Sequence, residues 1–266
     1  MYNKVRVLCW IMTSPKNLQL KATAVKNTWA KRCNKYIFFS SETNHSFPTV
    51  GLNVSEGREH LTRKTVQGFL YCFKKYGQLY DWFVKADDDT YMIVENLRYF
   101  LSHQSPEQLV YFGHKFKSLV KQGYFSGGAG YVLSRGSLNK LAKVGLKNPF
   151  ICRQDGGAED AEIGKCMEKL DIKAGDSLDI YGRESFHPFK PIAHLEGQVP
   201  DWFYNYSYHG VKKGLSCCSD YSVSFHYMSP SDMYLMDYLL YHLRPYGLHP
   251  KDSTKKIFVP FKDNFR

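Results

Sequence analysis

The sequence predicts an α/β domain built on a mainly parallel sheet, and three observations carry that prediction. Apolar stretches of strand length alternate along the chain with stretches whose apolar residues recur every three or four positions. Residues 5–39 read as a complete strand–helix–strand unit. The third observation is size: 266 residues, 43% hydrophobic and 23% charged, suit one large domain and exclude disordered or collagenous chains. The longest wholly apolar run, residues 7–12, is far too short to cross a bilayer.

Each element has its own signal. Residues 5–12 are apolar enough for a buried strand, which Pro15 ends; Leu18, Ala22, Val25, Trp29 and Cys33 then recur at helical spacing. Residues 36–39 form the second strand. Val66, Phe69, Leu70 and Phe73 mark another amphipathic helix, leading into a strand at 82–86 that stops at Asp87-Asp88-Asp89. A helix is expected over 94–103, a strand over 109–112, and a strand over 131–133 after the turn Gly127-Gly128-Ala129-Gly130. Ile163, Cys166, Met167 and Leu170 predict a helix with Glu159 and Asp160 in its first turn. Residues 221–228 alternate, placing Tyr221, Val223, Phe225 and Tyr227 on one face and Ser222, Ser224 and His226 on the other. We assign residues 1–250 to one catalytic domain and expect 251–266, rich in Lys and Asp, to form a loose tail.

The net charge is +11, but Lys and Arg are scattered and no basic run exceeds a pair. A solvated basic surface explains this better than nucleic-acid binding, and no nucleic-acid partner is expected. Seven cysteines include no C-x-x-C pair, and their odd number leaves at least one thiol outside intrachain bonds. Sequons stand at Asn44, Asn53 and Asn205, and with the cysteines they point to a secretory-pathway lumen. The N-terminal residues do not read as a signal peptide, so an N-terminal membrane anchor is expected to be missing from this chain.

Three consecutive carboxylates at the end of an apolar strand repel one another unless a cation offsets them. Oxygen ligands of this kind suit Mg²⁺ or Mn²⁺ bridging to substrate phosphates, and ligands of open α/β sheets gather at the carboxyl ends of strands. A dehalogenase-type phosphatase motif fails because Tyr91 occupies its fifth position. No P-loop is present, and the Gly127–Gly130 cluster lacks the spacing of a dinucleotide fingerprint.

Four blocks together carry a family resemblance: Lys85-Ala-Asp-Asp-Asp-Thr-Tyr91; residues 121–134 around the glycine turn; Glu159-Asp160 with Gly164; and Cys217-Cys-Ser-Asp220 with Ser224-Phe-His-Tyr227. With Arg6-Val-Leu-Cys-Trp10, residues 28–34 and His242-Leu-Arg-Pro-Tyr-Gly247, they resemble the core 1 β1,3-galactosyltransferases of glycosyltransferase family 31 over about residues 6–247. The resemblance implies a GT-A-type fold with a Rossmann-like sheet, a Mn²⁺ cofactor and UDP-galactose as donor. It also implies inverting transfer to the 3-hydroxyl of GalNAc α-linked to Ser or Thr of glycoproteins, in a Golgi type II membrane protein that is generally a homodimer.

Residue by residue, the resemblance implies Asp89 and His226 as metal ligands, with Asp87 and Asp88 at the metal or nucleotide. Asp160 is the candidate base, preferred to Glu159, which with Tyr124, Trp202 and Tyr204 is assigned to the acceptor. Gly127 and Gly128 would allow close backbone approach to the donor, and Lys64 and Thr13 are further donor contacts. The implied disulfides are Cys9–Cys33, Cys152–Cys166 and Cys217–Cys218, leaving Cys72 free. Without the resemblance, His226 reads better as a half-buried strand histidine, and Glu159-Asp160 as ordinary first-turn acids facing a helix dipole. Three stretches depart from the family pattern: Tyr204 replaces Trp, Leu178 replaces Arg, and Thr62-Arg63 precede Lys64 where the segment usually carries an aromatic. The donor and metal machinery is intact, so these changes bear mainly on acceptor choice and efficiency; a family 31 enzyme moving GlcNAc or another hexose is the alternative among enzymes. A chaperone-like relative is opposed by the acidic triplet, and a lectin-like module would need neither metal nor nucleotide.

Overall fold

The computed structural model describes residues 1–245; the expected tail and the end of the His242 block lie outside the described residues. The strands are β1 (Val7–Met12), β2 (Lys35–Ser40), β3 (Thr49–Gly51), β4 (Trp82–Asp87), β5 (Tyr91–Met92), β6 (Val110–Gly113), β7 (Lys115–Phe116), β8 (Tyr124–Phe125), β9 (Tyr131–Ser134), β10 (Lys173–Ala174), β11 (Phe186–His187) and β12 (Ser224–Phe225). The helices are α1 (Thr23–Asn27), α2 (Leu61–Tyr76), α3 (Val94–Leu101), α4 (Arg135–Lys140), α5 (Glu159–Lys169), α6 (Pro191–Glu196), α7 (Asp201–Tyr206) and α8 (Pro230–Tyr241).

A seven-stranded sheet runs in the order β10-β6-β9-β4-β1-β2-β3. It is parallel except at β9, which pairs antiparallel with both β4 and β6. All six residues of β1 are buried, as a central strand covered on both faces requires. Alternation divides them: Val7, Cys9 and Ile11 join one apolar layer, Leu8, Trp10 and Met12 the other. Helix α2 closes the second layer through Val66, Phe69 and Cys72, at the spacing of one helical face.

Residues 18–33 carry the expected buried face but not one regular helix. A wide i→i+5 turn at Leu18–Ala22 precedes α1, and backbone distortion at Thr28 ends it before a short 3₁₀ turn at Ala30–Arg32. The Cys9–Cys33 bond ties this segment to β1. The expected alternation over 221–228 is also corrected. Only Ser224–Phe225 pair as strand, in a small sheet ordered β11-β12-β5. Val223 and Ser224 are both fully buried, and Tyr227 turns its backbone to φ +58°, breaking the two-residue period. Ser229 and Asp232 then form a reciprocal capping box that starts α8. Among the described residues no helix is long and apolar enough to cross a membrane.

Candidate active site

The acidic triplet lies at the carboxyl end of β4, beside β1 in the middle of the sheet, and opens into a cleft of about 1260 Å³. A tight turn presents the three carboxylates: Thr90 N–H donates to the Asp87 carbonyl at 3.1 Å, and the Thr90 hydroxyl donates to the Gly128 carbonyl at 2.7 Å. The three side chains then diverge. Asp88 turns into the sheet end, where its Oδ2 accepts from Thr13 at 2.7 Å and Asn17 at 2.8 Å. Burial pushes its pKa up to about 6 against those hydrogen bonds.

Asp89 faces the cleft between His226, 3.1 Å from its Oδ1, and Lys21, 3.0 Å from its Oδ2. Burial would raise its pKa, but the His226 contact and Lys21 prevail and hold it at about 2. Met228 N–H donates to the Asp89 carbonyl, and Ser224 Oγ donates to the Ala129 carbonyl. The residues flanking His226 are thereby laced to the triplet and the glycine turn. Asp87, Asp89 and His226 offer ligand atoms that all lie within 4.8 Å of one another. Two carboxylates and an imidazole make a donor set that fits Mn²⁺ or a similar divalent ion.

Gly128 has no room for a side chain, because a Cβ there would overlap the His226 ring. A Cβ on Gly127 would meet Glu159 Oε2 at 2.7 Å. The pair therefore serves close approach of the turn to protein groups, as a two-glycine sequence allows. Gly130, at φ +78°, completes the turn into β9.

The adjacent acids at the start of α5 differ sharply. Glu159 is buried, its Oε1 accepting from Thr65 and Tyr131, each at 2.8 Å. Burial raises its pKa. Asp160 is half-buried at the cleft wall, where, among the described residues, its oxygens accept the backbone N–H groups of Gly127 at 3.2 Å and Ala161 at 2.8 Å.

Thr13 and Lys64 both line the cleft; the buried Lys64 ammonium donates to the Thr13 carbonyl and to both Glu56 oxygens, each at 2.8 Å. Opposite them stands an aromatic wall of Phe116, Phe189, Trp202 and Tyr227, with the Phe189 and Tyr227 rings stacked at 5.9 Å. Trp202 is 45% exposed there. Two expected acceptor contacts do not line the cleft. Tyr124 is buried beneath the wall against Phe116, and Tyr204 donates its hydroxyl to the Gly197 carbonyl on the far side of α7. Helical geometry explains the second correction, because residues two apart on α7 point to different sides. Glu159 reaches the cleft edge, but its hydrogen bonds commit it to the core.

The sequence reading missed Lys21, Asn17, Phe189 and Lys85. Lys85 had a signal of its own: a lysine inside the apolar run Trp82–Ala86 must be buried or paired. The implied disulfides Cys9–Cys33, Cys152–Cys166 and Cys217–Cys218 are all formed, and Cys72 is free and buried.

A largely parallel sheet that ends in acidic residues at an open cleft, with one reversed strand beside them, is the α/β class that the sequence predicts. The Fringe-like family model matches residues 3–228, and the chain belongs to that family. Among curated relatives, glycoprotein-N-acetylgalactosamine 3-beta-galactosyltransferase 1 of Xenopus laevis is 48% identical over 248 residues, covering 92% of this chain and 68% of that protein. Human beta-1,3-glucosyltransferase is 27% identical over 192 residues, covering 68% of this chain and 36% of that protein. Among solved structures, a glycosyltransferase involved in glycosylation of the PBCV-1 major capsid aligns with a TM-score of 0.49 at 10% identity, covering 88% of this chain and all of that one.

Proposed function

We propose that this protein is an inverting galactosyltransferase that moves galactose from UDP-galactose to the 3-hydroxyl of GalNAc α-linked to Ser or Thr, building the core 1 O-glycan of glycoproteins. The observation that carries the reading is the meeting, in one cleft, of an Asp87–Asp89–His226 cluster and the half-buried Asp160. The 48% identity to the frog enzyme supports the choice of sugar and acceptor. Asp87, Asp89 and His226 would hold Mn²⁺, which when bound supplies positive charge against the diphosphate that leaves.

The protein's own groups divide the remaining work. Thr13, Asn17 and Asp88 lie where the nucleotide would be oriented, with Lys64 bracing the Thr13 backbone. Asp160, pinned by the Gly127 N–H, takes the proton from the acceptor 3-hydroxyl as that oxygen attacks the anomeric carbon. The bond from that carbon to the diphosphate oxygen breaks on the opposite face, so configuration inverts and UDP departs. Trp202 and Tyr227 offer apolar ring surface for the acceptor sugar. The disulfides suit an oxidising compartment, and the Golgi lumen is the proposed setting, with a homodimer as the working assembly.

The test is UDP release from UDP-galactose, UDP-GlcNAc and UDP-glucose with a GalNAc-α-Thr peptide, with Mn²⁺ and with chelator. The reading predicts Mn²⁺-dependent release with UDP-galactose and addition of one hexose to the peptide. Release with UDP-glucose alone would move the chain towards the donor named for its human relative. Silence with every donor, in folded protein, would contradict catalysis.

A further inference from the structure

Lys85 is 2% exposed and lies between Val84 and Ala86, both fully buried in apolar core. Strand alternation places Lys85 on the same side of β4 as Asp87. Its ammonium joins β4, the glycine turn and the start of α5 at the lining of the cleft. It donates to Asp87 Oδ1 at 2.6 Å and to the Gly127 carbonyl at 3.0 Å, and it pairs with Glu159 Oε2 at 3.8 Å.

The distances rank these partners. If Lys85 served only to neutralise the buried Glu159, its closest contact would be that carboxylate. The closest contact is Asp87, a member of the cation-holding cluster, over a distance more than an ångström shorter. Such charge-assisted bonds to a ligating carboxylate fix its orientation, and losing one typically costs about ten- to a hundredfold in metal affinity.

We propose that Lys85 is a positioning residue that holds one oxygen of Asp87 in place, so that the carboxylate keeps its orientation within the Asp89–His226 cluster. The same ammonium clamps the Gly127 carbonyl and the first turn of α5, setting the position of Asp160 relative to that cluster. The consequence for turnover rests on the transferase reading; the consequence for cation binding does not.

The experiment compares Lys85→Met, Glu159→Gln and the double variant with the parent. Lys85→Met alone leaves Glu159 buried without its cation and can fail to fold. The double variant removes both charges and keeps similar shapes, so its thermal midpoint should stay within a few degrees of the parent. Binding of Mn²⁺ alone, followed by electron paramagnetic resonance, should weaken about tenfold in the double variant. It should stay near the parent value in Glu159→Gln, where Lys85 still holds Asp87.

Parent-like Mn²⁺ affinity in the double variant would overturn the proposal, reducing Lys85 to a counter-ion for Glu159. Equal weakening in Glu159→Gln alone would overturn it too, because the effect would then run through Glu159. If the parent transfers galactose, kcat of the double variant should fall at least about tenfold. If the parent transfers nothing, the transferase reading fails by itself, and the Mn²⁺ titrations still decide the role of Lys85.

Discussion

From β1 to β4 the chain builds its part of the cleft with sheet geometry, whereas residues 176–228 build theirs with loops, two-residue strands and the short helices α6 and α7. In the first region, parallel pairing across β2, β1 and β4 fixes where Thr13 and the acidic triplet emerge. In the second, strands of two residues are held by side-chain fastenings. Arg183 bridges Asp179 and Asp220, Cys217 is bonded to Cys218, the buried His187 and His194 each contact a hydroxyl or the backbone, and His114 from the sheet side reaches in to the Phe186 carbonyl and Ser207 hydroxyl. The first region bears the groups proposed for the nucleotide, the second the aromatic residues Phe189, Trp202 and Tyr227 proposed for the acceptor. The carboxyl ends of central strands supply a fixed platform, while loops can vary their side chains without disturbing it.

The sharpest way to break this division is at the seam, where the glycine turn meets His226. Gly128→Ala should force the imidazole away from Asp89, costing about a thousandfold in transfer while the protein remains folded. Kinetics with a Mn²⁺ titration would check it, and parent-like cation affinity would show that His226 is dispensable.

Within the sheet-built region, replacing Cys9 and Cys33 by Ala should cost about 3 kcal/mol of stability, because that bond closes 24 residues of sequence separation. Replacing the adjacent pair Cys217 and Cys218 should cost much less global stability, since adjacent residues close almost no loop. Urea unfolding of both double variants would give the comparison.

In the loop-built region, Trp202→Ala should raise the acceptor KM about tenfold while leaving the UDP-galactose KM near the parent value. Equal shifts in both constants would mean that the aromatic wall is not an acceptor surface.

The smallest effect concerns acid. Burial pushes His194 down to about 4 and His187 well below its usual range, so both are neutral in the fold. The unfolded chain protonates them near about pH 6.5, so their stability contribution is present above that pH and fades as pH falls. The expected slope is at most about 1.4 kcal/mol per pH unit per histidine, and His194→Gln should flatten it between pH 6.5 and 5. Asp81 in the sheet-built region behaves differently. Burial would raise its pKa, but Arg6 and Arg135 hold it low, so its contribution persists until pH falls below about 4.

The same contrast governs what could be read from residues alone. Periodic burial made β1, β2, α2, β4 and α5 legible, and the triplet's place at a strand end followed from them. Residues 221–228 misled because Val223 and Ser224 are buried on opposite sides of a short strand, which alternation cannot distinguish from a longer half-exposed one. Tyr204 misled because an aromatic cluster announces itself in sequence while the side of α7 that faces the cleft does not. Lys85 was passed over because motif reading stops at the acids, and only packing shows a buried ammonium joining Asp87, Gly127 and Glu159.

The most direct test of the account separates binding from chemistry at Asp160. Calorimetry of UDP with Mn²⁺ and single-turnover galactose transfer would be measured on the parent and on Asp160→Asn. The account predicts a UDP affinity within about threefold of the parent and transfer slowed by about a hundred- to ten-thousandfold, the range for losing a general base. Turnover near the parent rate would contradict the assignment of Asp160 as the group that takes the acceptor proton.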